Sequence, residues 1–486
     1  MSEPGAARGF GSRIASDSFV YGLGGIANQA VAILLVPIYA RVLGPEGPGI
    51  TGVLNSIISL SLMLVGLALP QAFFRWYLRE AADHVERAHI LRTTLALRIA
   101  ASLAGFAIVL LAAVPLTAVL YGGDNLLVFA LAAPIVLFDS FNGIPLSFLR
   151  AERRPRDYVA ISLTRAITGT VLILALVVAL EVGVVGVALG SMIAAAVSAA
   201  IGAWVLWRAG IWRPALDQDL SRAMLAFGLP LVPAAVAGWT LNLADRPLLQ
   251  VITDSEVLVS VYSVGYTGGL VINALAIQPF SLAWGATFWE ISRADDARRT
   301  FARTLTWFLA IASAAALFLS AIGTDAIRLL FSPVFEDSRY IVPFSAFAFV
   351  LYGAYTIVAT GLSIVGRSGI LATTMLIAAG VSLGLNLLLI PLLGMYGAAI
   401  STVAGYGLLV VIAGWQSQRL YPVPWQLGRV VVILGLAVVL SALALLGPDH
   451  TLWRIGTVLL YPPILVGTGI VRPTQARQLL RVLLRR

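Results

Sequence analysis

The stretch "VGVVGVAL" (Val182–Leu189) opens an apolar run that closes on Trp204 and Arg208. The stretch "LGMYGAAI" (Leu393–Ile400) opens another that closes on Trp415 and Arg419. At an offset of 211, Gly183 lies over Gly394, Gly186 over Gly397, Ala188 over Ala399, Trp204 over Trp415 and Arg208 over Arg419. An offset of 210 pairs Pro37 with Pro247 and Glu46 with Glu256. Glycine and alanine are common in this chain, so each match is weak alone. The shared offset, with tryptophan and arginine closing both runs, marks an internal duplication. Each run has the length, about 20 residues, that crosses roughly 30 Å of hydrocarbon as a helix.

Composition extends that reading to the whole chain. The 486 residues are 59% hydrophobic and only 11% charged, with a mean hydropathy of +0.94. Such a chain has lipid as its solvent. Open strand edges cannot be satisfied in lipid and the runs do not alternate, so the spans are helices. There is no cysteine, which removes disulfides, thiolate catalysis and thiolate metal sites. All 32 basic residues are arginine. Without lysine there is no Walker A phosphate loop and no Schiff base, and no cofactor is expected. His84 and His89 stand in what reads as a polar linker, off the spacing that turns two imidazoles toward one metal, so no metal is expected either. The first apolar run is long and lacks a small-residue cleavage site, so it is expected to stay as a membrane helix.

Fourteen spans are expected, with cores near residues 18–40, 50–72, 92–115, 126–149, 158–180, 182–207, 223–245, 257–284, 302–322, 341–365, 370–392, 395–416, 428–447 and 452–471. With the N-terminus in the cytoplasm, the inner segments hold 25 arginines and the outer ones five: Arg41, Arg246, Arg328, Arg339 and Arg454. This is the positive-inside pattern. It accounts for the net charge of +9 through topology, with no basic patch for nucleic acid. The repeat offset spans six helices, an even number, so the two copies share one orientation. The expected architecture is an all-α polytopic membrane protein. It has two parallel six-helix lobes, residues 1–222 and 223–420, around a central cavity. Two additional helices and a basic cytoplasmic tail, residues 421–486, follow.

Charge inside a span costs about 2.5–3.5 kcal/mol on insertion scales, so each instance is a functional candidate. Arg98, Asp139 and Arg165 fall within spans; Arg41, Arg75, Asp245 and Arg246 lie near span ends. For those near the ends the rival role is snorkelling to the headgroups; for Arg98 and Asp139 it is a structural ion pair. Uncharged polar candidates are Asn28 and Gln29 in span 1, Asn242 in span 7, and Asn273 and Gln278 in span 8. Gly22, Gly24, Gly25 and Pro37 loosen span 1, and Pro230, Pro233 and Pro247 interrupt span 7, because proline breaks the helix ladder.

The segment "LADRPLLQVITDSEVLVSVYSVGY" (Leu243–Tyr266) resembles the span 7–8 region of bacterial polysaccharide-lipid flippases. These Wzx-like polysaccharide transporters belong to the multidrug/oligosaccharidyl-lipid/polysaccharide exporter superfamily. Asp245, Arg246, Tyr262 and Tyr266 fit the family's pattern, although Pro247 stands where an aliphatic residue is usual. "FGLPLVP" (Phe227–Pro233) resembles the opening of span 7, and "LVPIYARVLGPEGPGITGVLNSI" resembles the span 1–2 turn. The resemblance implies a MATE-like fold and, as cargo, an isoprenoid-pyrophosphate-linked oligosaccharide. A pyrophosphate matches the guanidinium fork, and sugars stack on aromatic rings, for which Trp239, Trp284 and Trp289 are candidates. By analogy with the lipid II flippase branch, spans 13 and 14 offer a groove for the lipid tail. The alternative is a cation-coupled multidrug exporter. It favours acidic, aromatic cavity walls, whereas the charge within these spans leans to arginine. An integral-membrane glycosyltransferase would carry a large external loop, and the longest, residues 322–340, is short. The tail "RPTQARQLLRVLLRR" (Arg472–Arg486) reads as a basic amphipathic helix for anionic membrane lipids. Docking of a polysaccharide polymerase or glycosyltransferase is its alternative role.

Overall fold

The computed structural model describes residues 33–81, 83–211 and 213–470, and these contain helices and no strand. Among them twelve helices, from Gly47–Glu80 to Leu427–Leu446, are long and apolar enough to cross a membrane. Two shorter apolar helices, Ile33–Val42 and Thr451–Gly467, stand at the two ends. Every expected span therefore coincides with a helix, the first through its described part. The chain is a multi-pass all-α membrane protein.

The helices used below are α1 (Ile33–Val42), α2 (Gly47–Gly66), α3 (Leu69–Arg75), α4 (His84–Tyr121), α5 (Leu126–Ala130), α6 (Ala132–Ala151), α7 (Pro155–Leu174), α8 (Val184–Arg208), α9 (Gln218–Gly228), α10 (Val232–Leu243) and α11 (Asp245–Thr253). They continue as α12 (Glu256–Ile272), α13 (Gln278–Ile291), α14 (Ala297–Leu330), α15 (Ser338–Val358), α16 (Thr360–Ile364), α17 (Ser368–Leu393), α18 (Met395–Leu420), α19 (Leu427–Leu446) and α20 (Thr451–Gly467). They group into two compact units. One holds the described residues up to Ser263 together with Ala372–Gly405. The other holds Val264–Leu371 and the described residues from Tyr406 onward.

The first unit is built inside out relative to a protein in water. On α4 the buried face is Ser102, Gly105, Val109, Ala113, Thr117 and Leu120, a stripe at helical spacing. Leu103, Ile108, Leu111, Val114 and Val119 point outward. Lipid tails are as apolar as leucine, so helices associate through small residues and internal hydrogen bonds while large aliphatic side chains meet the bilayer. At one end of this unit Phe73, Tyr77, Leu91, Phe148, Leu206 and Met224 form a conventional apolar core.

α4 begins earlier than the sequence reading placed it. His84 is its first residue, and the Asp83 carboxylate caps the helix by accepting from the Glu86 N–H at 2.8 Å. Asp-x-x-Glu is a capping-box signal, so the linker assigned to His84 and His89 is corrected to the first turns of α4. The His89 ring meets Asp217, the N-cap of α9, at 2.9 Å. The Leu220 backbone N–H and the His89 side chain hold the Asp217 carboxyl below its usual range.

Two spans are interrupted in mid-run. Between α2 and α3, Leu67 and Ala68 both take left-handed backbone conformations, at φ 49° and 50°. The seventh span breaks twice: a 3-10 turn at Leu229–Leu231 separates α9 from α10, and Ala244 separates α10 from α11. The prolines expected to interrupt this span sit at those breaks. Pro247 has no N–H to give the Leu243 carbonyl, so the ladder stops there. In the first turn of a new helix that missing donor costs nothing. Gly228 packs against the Leu67 carbonyl so closely that a β-carbon would collide with it.

The conformation at Ala68 yields a sign test. In a continuous helix, Ala→Gly costs about 0.5–1 kcal/mol. In the left-handed region alanine carries roughly 1–2 kcal/mol of strain that glycine lacks. Ala68→Gly is expected to raise the thermal unfolding midpoint of the purified protein; a lowered midpoint would mean that this span runs unbroken.

Candidate functional site

The two interruptions are where the buried charge lies. At the first, Arg98 on α4 is 5% exposed. Its Nε donates to the Ser140 carbonyl at 2.5 Å, and its Nη1 to the carbonyls of Gly66 at 3.1 Å and Val65 at 3.5 Å. Gly66 ends α2, so the guanidinium caps carbonyls that a helix end leaves unpaired and that bear its partial negative charge. Gly143 lies against Nη2, and a β-carbon there would collide with it. Arg98 is thus neutralised by three main-chain carbonyls. The ion pair considered for it belongs instead to Arg165, whose Nε and Nη2 each reach Asp139 at 3.1 Å in a fork across α7 and α6.

At the second interruption Asp245 is 2% and Arg246 5% exposed. Headgroup snorkelling, the rival role for this pair, is therefore overturned. As α11 starts afresh at Asp245, its carboxylate turns onto its own first turn. Oδ1 accepts from the Arg246 N–H at 2.9 Å and from Arg246 Nη1 at 3.3 Å. Oδ2 accepts from the Tyr262 hydroxyl on α12 and, at 3.5 Å, from Thr402 on α18. Arg246 Nη1 also donates to the Asn242 carbonyl at 3.3 Å. One carboxylate so joins α11, α12 and α18. Gly52 on α2 leaves room for the Arg246 side chain. Two turns of sequence further on, Gln250 is buried and donates to the Leu120 carbonyl of α4 at 3.0 Å. Its Oε1 has no partner.

Beside this cluster the starts of α2 and α12 are in direct contact. The Gly49 N–H donates to Ser260 Oγ at 2.6 Å, and that hydroxyl donates to the Glu46 carbonyl at 3.0 Å. Gly49 and Ser260 are separated by the repeat offset of 211. The repeat is visible again where Arg208 stacks on Trp204 at 4.0 Å and, in the other unit, Arg419 on Trp415 at 3.8 Å.

The remaining candidates are placed more simply. Arg41 is exposed. Arg75 is exposed as well, paired with Glu80 at 3.0 Å and stacked on Trp76 and Phe227. Asn242 is half-buried. In the second unit Asn273 opens a π-helical turn, Asn273–Ile277, and Gln278 begins α13 directly after it. The Asn273 Oδ1 is buried without a partner. A π turn is frequent at functional positions because it displaces one residue from the ladder. Trp239 donates to the Ser56 carbonyl at 2.9 Å. Trp284 is buried, donates to Thr360 and stacks on Phe280, so it packs the second unit. Trp289 is exposed. Asn28, Gln29, Gly22, Gly24, Gly25 and the tail helix at 472–486 lie outside the described residues.

Tyr262, Thr402, Gln250, Ser260 and Gly143 carry this constellation and were not read as site residues from sequence, although Tyr262 matched the family pattern. Serine, threonine and glycine are too frequent in membrane helices to be singled out without their neighbours.

Interrupted helices holding buried arginines in a multi-pass all-α chain define a transporter fold of the multidrug/oligosaccharidyl-lipid/polysaccharide exporter superfamily. The polysaccharide biosynthesis protein family model matches residues 14–292, more than half of the chain, and the chain belongs to that family. A protein of the Lsg locus of Haemophilus influenzae is 23% identical over 285 residues, covering 57% of this chain and 66%, just under two thirds, of that protein. Among solved structures, the lipid II flippase MurJ in an inward closed conformation is similar at a TM-score of 0.70. It is 14% identical, and the match covers 93% of this chain and all of that one. An inward-facing multidrug resistance MATE family transporter matches at a TM-score of 0.62 and 16% identity, covering 84% of this chain and 95% of that one.

A double-mutant cycle separates pairing from chemistry at Asp139. Removing one member of the fork leaves the other partly buried and unpaired. Asp139→Leu or Arg165→Met alone is expected to cost about 1–3 kcal/mol, below the fully buried range because both retain some exposure. The double substitution should cost less than either single one in thermal unfolding. Strictly additive losses would remove the pair as a structural unit.

Proposed function

We propose that this chain is a flippase. It translocates an isoprenoid-pyrophosphate-linked oligosaccharide from the cytoplasmic to the outer leaflet by alternating access, for export of a surface polysaccharide. One observation carries the reading: spans two and seven are both broken in mid-run, and each break holds a buried arginine, Arg98 at one and Arg246 at the other. Interrupted helices are how membrane transporters present polar groups inside the bilayer. Arginine at such points suits a pyrophosphate, which a guanidinium grips through two parallel hydrogen bonds. A drug exporter for cations would place acidic and aromatic groups there.

In this mechanism the two repeats, residues 1–222 and 223–420, move against each other, and the helices from 421 onward hold the lipid tail. The seam of Glu46, Gly49 and Ser260 joins equivalent helices through two hydrogen bonds to one hydroxyl, a contact that parts without dragging large side chains. When it parts, Arg246 exchanges its Asn242 carbonyl for the pyrophosphate, and Asp245 keeps the guanidinium aimed. Arg98 acts in the same way from the other break. Arg41 and Arg75 receive the anion near the two membrane surfaces, and Asn28, Gln29, Asn242, Asn273 and Gln278 offer hydrogen bonds along the route. Asp139 and Arg165 brace α6 against α7. The arginine distribution puts both termini in the cytoplasm of a cell whose plasma membrane is inside-negative. An anion moving outward there gains about 2.3 kcal/mol per charge per 100 mV, so no nucleotide hydrolysis is needed and the chain is no enzyme. Membrane lipids and, at the tail, a polymerase or glycosyltransferase complete its partners.

The test is uptake of a fluorescent lipid-linked oligosaccharide by vesicles reconstituted with the purified chain. Arg246→Lys keeps a cation beside Asp245 but loses the fork. A hydrogen bond to a charged group contributes about 1.5–3 kcal/mol, so the flipping rate should fall roughly ten- to hundredfold with folded protein unchanged. Arg246→Ala should fail in transport more than in folding. Normal surface-polysaccharide complementation by both variants would sink this assignment.

A further inference from the structure

At one end of the second unit the loop between α19 and α20 folds over the ends of α14 and α15, and charge holds it there. Arg328 grips Glu336 and Asp449, with both Asp449 oxygens at 2.8 Å. Arg454 binds Asp449 at 2.7 Å and Asp325 at 2.5 Å. Arg339 binds Glu336 at 2.8 Å and the Tyr340 hydroxyl at 2.7 Å. Three guanidiniums and three carboxylates thus pair off. Arg328, Arg339 and Arg454 are three of the five arginines that the positive-inside count assigns to the outer surface.

Beneath this network lies a cavity of about 250 Å³ lined by Thr324, Arg339, Tyr340, Asp449, Arg454 and the chain at Ala444–Gly447. Three buried polar atoms of its lining lack any partner: Arg339 Nε, Arg454 Nε and Thr324 Oγ1. They come from α15, α20 and α14, and the Arg454 side chain is 95% buried, its exposure being 5%. Buried donors left unpaired cost about 1–3 kcal/mol each, so their convergence on one space points to a ligand. The cavity holds far more than one water, whose share of volume is about 30 Å³, and is smaller than the roughly 300–1,000 Å³ of a drug-sized site.

The charge balance selects the ligand. With the arginines already paired, an anion gains little there. The lining instead offers N–H donors, a hydroxyl that gives or accepts, carboxylate lone pairs on Asp449 and the Tyr340 ring. That set matches a ring bearing several hydroxyl groups. We propose that this cavity is a binding subsite for one neutral monosaccharide unit on the outer side of the membrane. It rests on the flippase reading only for the source of the sugar, which would be the saccharide part of the cargo after it emerges.

The test uses free sugars and no lipid carrier, so it is independent of the flipping assay. The full chain in nanodiscs, free of sugar-based detergent, is titrated with D-glucose, D-galactose, D-mannose and N-acetylglucosamine, with saturation-transfer NMR as the readout. Saturable transfer in the millimolar range is expected for at least one. Thr324→Val, near-isosteric and outside the ion-pair network, should weaken it at least fivefold, and Arg454→Lys, which keeps the charge, should do the same. Absence of saturable transfer from all four overturns the proposal. So does binding that survives both substitutions, or binding that inorganic phosphate displaces.

Discussion

A carbonyl at the end of a helix inside a bilayer has no water to turn to, and this constraint governs the structure. Span two ends a helix at Gly66 in mid-run, and the chain reverses hand at Leu67 and Ala68. The guanidinium of Arg98 closes that end. Everything around it makes the arrangement affordable: Gly143 clears space for the nitrogen, Ser140 lends a carbonyl, and Gly228 lets the seventh span approach the exposed Leu67 oxygen. An arginine that neutralises carbonyls in place of a carboxylate is held by partial charges, and partial charges are easier to exchange than a full ion pair.

The same logic recurs at Ala244 with different parts. There the break is written by Pro247, and the new helix begins on an acid, whose negative charge favours a helix N-terminus. Asp245 satisfies its own first turn and draws in Tyr262 and Thr402 from two other helices. Arg246 gains a counter-charge without a second element having to supply one. Arg98 and Arg246 are thus fixed by local backbone geometry, which a rigid-body motion of whole helices need not disturb. Asp139 and Arg165 are a side-chain fork between α6 and α7, suited to bracing.

In the second unit, α19 and α20 pack on α14, and the polar network of Arg328, Glu336, Asp449 and Arg454 ties their connecting loop to α14 and α15. Tyr461 adds a hydrogen bond from α20 to the Ala310 carbonyl within the apolar part. Added helices in lipid cannot rely on hydrophobic attraction to their neighbours. Charge pairing at the end and one buried hydroxyl along the length substitute for it.

The sequence by itself determined the solvent, the helices, the span positions and the interruption of span seven. Those depend on hydropathy over about 20 residues and on proline's missing N–H, both local properties. It also picked out Arg98, Asp139, Arg165, Asp245 and Arg246, because charge among apolar residues is conspicuous. Tertiary structure alone decided what each charge does. Asp139 meets Arg165 and leaves Arg98 to carbonyls, and Asp245 and Arg246 are buried while Arg41 and Arg75 face outward. It also decided the break at Leu67–Ala68, where neither glycine nor proline stands and contacts from other helices hold the left-handed turn. Partner choice is set by the distance between helices remote in sequence, and no local pattern encodes that distance.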